Sequence, residues 1–285
     1  MTDQSDAALY DELRQVAKDA AAAAVELIHT NRPESFAVDE KSSATDHVTE
    51  MDTASERLIR SVIAAARPTD LVIGEEDQPG RQRPARPGET TGGTAGVTWW
   101  VDPIDGTTNY VYDHPGYNVS IAAEIDGTVV AAVVADPTHD RVYSATLGGG
   151  AFCDDRRLRL TARTEAAESI LATALVATGF GYSSERRARQ GQVVAQLLPQ
   201  IRDIRRMGAA ALDLCSVASG RVDAYYEVGL AMWDLAAGEL IATEAGARVG
   251  TIEGGPDRPT SVLAAHPALF DPLQAVLSTL GAGQV

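Results

Sequence analysis

Val97-Thr98-Trp99-Trp100-Val101-Asp102-Pro103-Ile104-Asp105-Gly106-Thr107-Thr108-Asn109 is the stretch on which the reading of this chain turns. Residues 97–101 are β-branched or aromatic and read as a strand. The strand runs straight into two carboxylates in a tight turn, with proline between them and glycine directly after. Gly106 permits a backbone conformation, or a close approach, that a side chain would block. Beyond it, the N–H groups that open a helix can face an anion. Two carboxylates beside such a cradle repel an anionic ligand unless a hard cation sits between them. Oxygen-only ligation of that kind suits Mg²⁺, which takes one or two carboxylates together with waters and phosphate oxygens. The same residues also serve as ordinary turn formers, so this stretch alone leaves both readings open.

Upstream, the apolar run Leu71-Val72-Ile73 leads into Gly74-Glu75-Glu76. A carboxylate at the C-terminal end of a strand lies where open α/β sheets bind ligands, although a glutamate pair in a turn is also what a solvated surface shows. Residues 77–96 are rich in proline, glycine, arginine and threonine and read as a surface loop. Residues 7–29 form an amphipathic pattern with Asp6 as N-cap, and residues 53–66 a second helix ended by Arg67-Pro68. Downstream, Tyr117–Ile125 and Thr128–Ala135 are strands joined by Asp126-Gly127, a hairpin signal. Arg141–Ala145 continues the meander and Gly148-Gly149-Gly150 closes it. The second half alternates: Ser169–Thr178 extended, Arg186–Leu198 helical, Ala209–Ser219 helical, Val222–Glu227 a strand and Leu235–Ala245 a helix before Gly246. Mixed strands and helices in this order point to layered α/β packing and not a helical bundle.

The totals narrow the function. The chain has 285 residues, 45% of them apolar, enough for one large unit with a substantial core. A formal net charge of −16 argues against direct nucleic-acid binding, which needs clustered Lys and Arg. It also means that any phosphate-bearing substrate has to be received through cations. No run of apolar residues is long enough for a membrane span, and the opening MTDQSDAALYDE lacks the basic-then-apolar order of a signal peptide. The only cysteines, Cys153 and Cys215, lie outside any CxxC spacing and read as reduced thiols of a cytoplasmic protein. They also lack a nearby Cys-x5-Arg phosphatase loop, which argues against thiol chemistry.

Two further polar groups complete the constellation. Trp233-Asp234 opens a helix, where Asp234 serves equally as an N-cap or as a carboxylate aimed at a metal. Lys41-Ser42-Ser43, Asp46, Thr49 and Asp52 precede another helix; Asp52-Thr53 reads as a cap, or Asp52 as the group that orients a hydroxyl. Taken with Gly74-Glu75-Glu76, Asp102-Pro103-Ile104-Asp105-Gly106-Thr107-Thr108-Asn109, Gly148-x-Gly150-Ala151-Phe152 and Trp233-Asp234-x-Ala236-x-Gly238 ahead of Thr243-Glu244-Ala245-Gly246, these segments resemble the inositol monophosphatase family, in the family's order, over most of residues 36–250.

The resemblance implies an αβαβα sandwich, a single unit over 1–285 with a metal-binding half to about residue 160 and a substrate-side half from 161, and a homodimer. It implies Mg²⁺, in two or three ions, held by Glu75, Asp102, the Ile104 carbonyl, Asp105 and Asp234. Thr107 paired with Asp52 would position the attacking water, making Glu75, Thr107 and Asp52 the catalytic set. The N–H groups of Gly106 and Thr107 would hold phosphate oxygens, and Lys41 would offset charge near the metals. Sensitivity to lithium is implied as well.

Substrate choice is expected in the second half. Gly208-Ala209-Ala210-Ala211 resembles the family's substrate turn with Ala209 in place of a hydroxyl residue, leaving backbone contacts from Ala210. Tyr225-Tyr226-Glu227 resembles the stretch whose glutamate binds an inositol hydroxyl; with Asp105 and Asp234, Glu227 joins the substrate-facing set. A small polyol monophosphate, inositol 1-phosphate first, is the expected substrate. Histidinol phosphate, fructose 1,6-bisphosphate and phosphoadenosine phosphate are the alternatives, with Arg205 and Arg206 near enough in sequence to serve a second phosphate. A regulatory protein-binding role and a calcium-binding structural role rank below these; no EF-hand spacing exists.

Overall fold

In the computed structural model the described residues are 4–33, 36, 38–40, 47–76, 96–163, 166–252 and 261–285. Lys41, Ser42, Ser43 and Asp46, and residues 77–95 of the expected loop, lie outside them.

The first half builds one sheet. Strands β3 (Leu71–Gly74), β4 (Val97–Asp105), β5 (Asn118–Ile125), β6 (Thr128–Asp136), β7 (Arg141–Thr146), β8 (Gly150–Cys153) and β9 (Arg156–Leu158) follow one another in that spatial order. Only β3 and β4 are parallel; the rest form an antiparallel meander. The β5–β6 turn has positive φ at both Asp126 (49°) and Gly127 (76°), the geometry that continues the strands' twist. Ahead of this sheet, β1 (Val38–Glu40) and β2 (His47–Thr49) pair antiparallel.

One face of the sheet is covered by α1 (Gln4–Thr30) and α2 (Glu50–Ala66). Leu13, Ala17, Ala20, Ala24 and Ile28 make a buried stripe at helical spacing, small in its middle so that α1 lies close to the strands. Along β4, Trp99 and Val101 join this core, whereas Trp100 faces the opposite one. Each indole N–H is satisfied, Trp99 by Asp70 at 3.0 Å and Trp100 by Glu124 at 3.0 Å.

The second half builds a five-stranded sheet in the order β11 (Asp203–Arg205), β10 (Leu175–Thr178), β12 (Ala224–Val228), β14 (Ser261–Ala265) and β13 (Arg248–Gly250), part parallel and part antiparallel. Between the two sheets lie α6 (Ala210–Ala218) and α7 (Met232–Glu244). Sandwiched in this way, α7 buries Trp233, Leu235, Ala236, Ala237, Leu240 and Ile241 all round. On the far side of the second sheet are α4 (Ala167–Ala172), α5 (Ser184–Leu197) and α8 (Pro267–Thr279). Alternate residues divide the strands again: Tyr225 faces the central helices, while Ala224, Tyr226 and Val228 face the outer ones. The result is the αβαβα layering expected from the sequence. Between β4 and β5 lies the short α3 (Thr107–Val111).

Several local expectations are corrected. Asp6 lies inside the first turn of α1 and is not its cap. α2 begins at Glu50, capped by Thr49, so Asp52 is its third residue and Asp52-Thr53 is not the cap. Ser169–Thr178 is not one extended run: Ser169 sits in α4 and the strand starts at Leu175, because Thr173 ends the helix with its hydroxyl bonded back to Ser169. Asp102 to Asp105 is not a turn. It remains in β4, with a register shift against β5 between the two aspartates.

Candidate active site

The register shift in β4 organises the site. Pro103 has no N–H to give to a ladder, so the strand pairs at Asp102 with Ser120 and again only at Asp105 with Asn118. The displaced groups are met locally. Ser55 donates to the Pro103 carbonyl at 3.2 Å, the Ile104 N–H donates to Asp102 Oδ1 at 3.0 Å, and the Thr107 hydroxyl reaches the Ile104 carbonyl at 3.1 Å. Gly106 (φ 88°) then turns the chain into α3; a Cβ there would lie 2.8 Å from the Gly116 carbonyl oxygen. Asn109 secures this corner by donating to the Gly116 and Met207 carbonyls at 2.7 and 2.8 Å.

Around this bulge the expected residues assemble from four elements. Glu75 follows β3, and its N–H donates to the Val101 carbonyl at 3.2 Å, which places it at the strand end beside Asp102. Asp102 is 2% exposed. Asp234 lies at the third position of α7, not at its N-cap, and accepts from the Ala231 N–H at 2.6 Å. Ser120, the cross-strand partner of Asp102, donates to the Trp233 carbonyl at 3.2 Å and so docks the start of α7 on the bulge. Asp105 Oδ2 accepts from Asn118 at 2.8 Å and from the Ala211 N–H at 3.0 Å. That second bond supplies to α6 a cap that Ala209, lacking a hydroxyl, cannot give.

Two of these carboxylates are held above their ordinary range, first by burial and then by neighbouring negative charge. Burial, then the charges of Glu75 and Glu227, pushes Asp105 up to about 7, against its bonds to Asn118 and Ala211. Burial, then Glu75 and Asp105, pushes Asp234 well above the usual carboxylate range. Among the described residues no group of three or more acidic, histidine or cysteine side chains is already placed to hold a metal ion. Like charges do not close on one another without a cation. The donor set nevertheless fits Mg²⁺: it is all oxygen, with Asp102 and Asp105 buried and Glu75 and Asp234 half-buried, and that ion keeps waters and needs few carboxylates.

Beside the cluster runs a hydrogen-bonded line. Asp52, fully buried, accepts on Oδ2 from the Thr49 N–H (2.8 Å) and hydroxyl (2.6 Å), and on Oδ1 from the Thr107 hydroxyl at 3.1 Å. The capping box of α2 thus fixes a carboxylate whose second oxygen holds Thr107.

On the other side, Glu227 Oε2 accepts from the Tyr225 hydroxyl at 2.7 Å. Burial raises the Glu227 pKa, and the Tyr225 bond and the charges of Arg206 and Arg186 oppose that rise. Ala210 is the first residue of α6. Of the two arginines considered for a second phosphate, Arg205 pairs with Asp203 at 2.9 Å in the open, and Arg206 lies over the Phe180 ring. Asn118 and Ser120, which hold Asp105 and dock α7, stand in no stretch of the sequence read as functional. The positive φ at Gly148 and Gly150 has its own use: their N–H groups bind the Glu244 carboxylate at 2.7 and 2.9 Å, tying the meander to the end of α7.

Comparison with known proteins finds relatives over nearly the whole chain. The model of the inositol monophosphatase family matches residues 9–278. Inositol-1-monophosphatase of Mycobacterium bovis is 46% identical over 277 residues, covering 93% of each chain. A protein named Nus factor SuhB from Pasteurella multocida is 40% identical over 230 residues, covering 80% of each. Among solved structures, Mycobacterium tuberculosis SuhB superposes with a TM-score of 0.75 at 42% identity, covering 96% of this chain and 98% of that one.

Proposed function

The chain belongs to the inositol monophosphatase family and is a phosphoric monoester hydrolase; from that premise we propose that it cleaves a small polyol monophosphate, inositol 1-phosphate foremost, with Mg²⁺. The observation that carries the reading is the Thr49–Asp52–Thr107 line beside Asp102 and Asp105, which are buried, and the half-buried Glu75 and Asp234. Glu75, Asp102, Asp105, Asp234 and the Ile104 carbonyl would hold the metal, as two or three ions. When bound, it supplies positive charge to the phosphate and leaving oxygens and makes water more acidic.

The chain's own groups do the positioning. A hydroxyl has one proton and two lone pairs. With its proton given to Asp52 and not to the Ile104 carbonyl, which lies at the same 3.1 Å, Thr107 is left to accept from a water and so aim that water's free electron pair at phosphorus. Asp52 is held by Thr49 and does not swing with its load. The first-turn N–H groups at Gly106 and Thr107, and that of Ala210, suit phosphate and substrate oxygens. Glu227, with Oε2 engaged by Tyr225, offers its other oxygen to a ring hydroxyl. Positioning and charge stabilisation suffice for phosphoryl transfer to water without a phosphoenzyme.

Two free, buried cysteines fit a reducing, cytoplasmic setting, and the family likeness supports a homodimer. Among the described residues no helix is long and apolar enough to cross a membrane. A protein-binding role stands second, favoured by relatives that carry the name Nus factor SuhB.

The test is phosphate release from inositol 1-phosphate, histidinol phosphate, fructose 1,6-bisphosphate and phosphoadenosine phosphate, each with Mg²⁺, with EDTA, and with Mg²⁺ plus lithium. Mg²⁺-dependent, lithium-sensitive release led by inositol 1-phosphate is expected. Release led by another compound overturns the substrate, and equal release in EDTA overturns the metal.

A further inference from the structure

On the alcohol side one cation has no part in the chemistry above. Arg186 stands in the first turn of α5 and is half-buried. Its Nε and Nη2 are buried with no hydrogen-bond partner among the described residues. Nη1 makes no bond to those residues either, but it alone of the three nitrogens is not closed from solvent. A guanidinium that is neither paired nor fully hydrated is a fork of donors in want of an acceptor.

Shape, and not bonding, holds this group in place. The neighbouring strands β10 and β12, paired in parallel through Thr178 and Tyr226, both run out into glycine. Gly179 and Gly181 follow the first, and Gly229 follows the second. A Cβ at Gly229 would collide with Nη1 and Nη2 of Arg186, and one at Gly181 would lie 2.7 Å from its Cδ. A Cβ at Gly179 would collide with the Glu227 carboxylate. The three glycines thus clear adjoining space for two side chains of opposite charge. Each senses the other's charge, yet neither buried nitrogen of Arg186 bonds to Glu227. Gly229, against which Nη1 lies, is exposed, so this end of the slot is open.

A donor cation and an acceptor anion on adjacent strand ends, not closed on each other, are complementary to two neighbouring hydroxyls. One hydroxyl gives its proton to the carboxylate oxygen that Tyr225 leaves free, and the oxygen of the next accepts from the guanidinium. A second phosphate suits the place less well, because Glu227 repels it. We propose that Arg186 is a specificity-determining residue for the alcohol end of the substrate, donating to the ring hydroxyl next to the one that Glu227 reads, so that the two together select a vicinal diol. The proposal rests on the polyol-phosphatase reading and deepens it.

The experiment compares Arg186→Met, which keeps length without a donor, with Arg186→Lys, which keeps the charge without the fork. Both are assayed with Mg²⁺ on inositol 1-phosphate, on fructose 1,6-bisphosphate and on p-nitrophenyl phosphate, which has no ring hydroxyls. Melting temperatures are taken alongside, and Glu227→Gln, alone and combined with Arg186→Met, completes a double-variant cycle. Arg186→Met is expected to raise KM for inositol 1-phosphate about ten-fold, the scale of one charge-assisted hydrogen bond. The change in kcat and the loss on p-nitrophenyl phosphate are several-fold smaller. Its melting temperature holds or rises, because two orphaned donors are gone. Arg186→Lys recovers part of the KM. The double variant loses less than the product of the two single losses, since both residues grip one diol. Equal losses on inositol 1-phosphate and p-nitrophenyl phosphate, or a double loss equal to the product, overturn the proposal. A larger loss on fructose 1,6-bisphosphate than on inositol 1-phosphate overturns it in favour of an anion receptor. Arg186→Gln replaces Met if the latter does not fold, read by the same substrate ratio. Wild-type protein inactive on inositol 1-phosphate but active on p-nitrophenyl phosphate sinks the polyol reading instead, a result distinct from these.

Discussion

The phosphate side and the alcohol side of the site are built by different means. On the phosphate side many of the positioning bonds are short in sequence: Thr49 and Asp52, Asp102 and Ile104, and Ala231 and Asp234 each lie two or three residues apart, while Asp52 to Thr107 spans 55 residues. Each short motif carries its own geometry and needs the fold to be delivered to the same place. The bonds that join this side to the second half of the chain are long: Asp105 to Ala211 spans 106 residues and Asn109 to Met207 spans 98. On the proposed reading, local motifs serve the reaction and distant packing serves what reaches it. A change to the first side should therefore strike every substrate alike, and a change to the second should sort them.

The sharpest test is Asp102→Asn. The amide oxygen still accepts from the Ile104 N–H, so the bulge and the melting temperature should hold, while kcat falls at least about 10²–10³-fold on every phosphate ester. Wild-type turnover in this variant would remove the metal assignment. Thr107→Ala follows. It should lower kcat about 10²-fold, with Thr107→Ser recovering most of it, again without regard to the alcohol. A loss confined to inositol 1-phosphate would move Thr107 to the other side of the comparison.

Glu227→Gln should instead separate substrates. The Tyr225 hydroxyl can still donate to the amide oxygen, so the fold stays, yet kcat/KM for inositol 1-phosphate should drop about ten-fold relative to p-nitrophenyl phosphate. Parallel losses would show that Glu227 does not read the alcohol. Least in effect on turnover is Glu244→Ala. It orphans the Gly148 and Gly150 N–H groups and should cost about 1–2 kcal/mol of stability in denaturant unfolding, with kcat within about two-fold. A large loss of activity would mean that the clamp also sets α7, and with it Asp234.

The same division governs how far the chain could be read before it was folded. Layered α/β packing and the strands of the first sheet were legible because strands and helices are mixed in order and strand side chains alternate between two cores, as in Trp99, Trp100 and Val101; the αβαβα order came with the family resemblance. Glu75, Asp102, Asp105, Thr107 and Asp234 were picked out as a group only by that resemblance, since each short motif alone reads equally as a turn, a cap or a solvated surface. Their exact settings were not. Asp102–Asp105 was taken for a turn because proline followed by glycine usually ends a strand, and pairing with Ser120 and Asn118 outweighed that tendency. Ser169 was taken as extended because a helix as short as α4 leaves hardly any periodic signal; its packing against α8 decides it.

What the sequence determined by itself, then, is that strands and helices are mixed in layers and that carboxylates and a hydroxyl stand in short motifs, since each follows from side-chain period or from neighbours a few residues away; the ligand set and the order of the layers came only with the family resemblance. Tertiary structure alone decided that Asp105 caps α6, that Ser120 docks α7 beside Asp102, and that Asp213 Oδ1 is buried with no hydrogen-bond partner among the described residues. Those outcomes depend on which distant segments the two sheets press together. Burial, and not residue type, then sets how strongly each charge is felt.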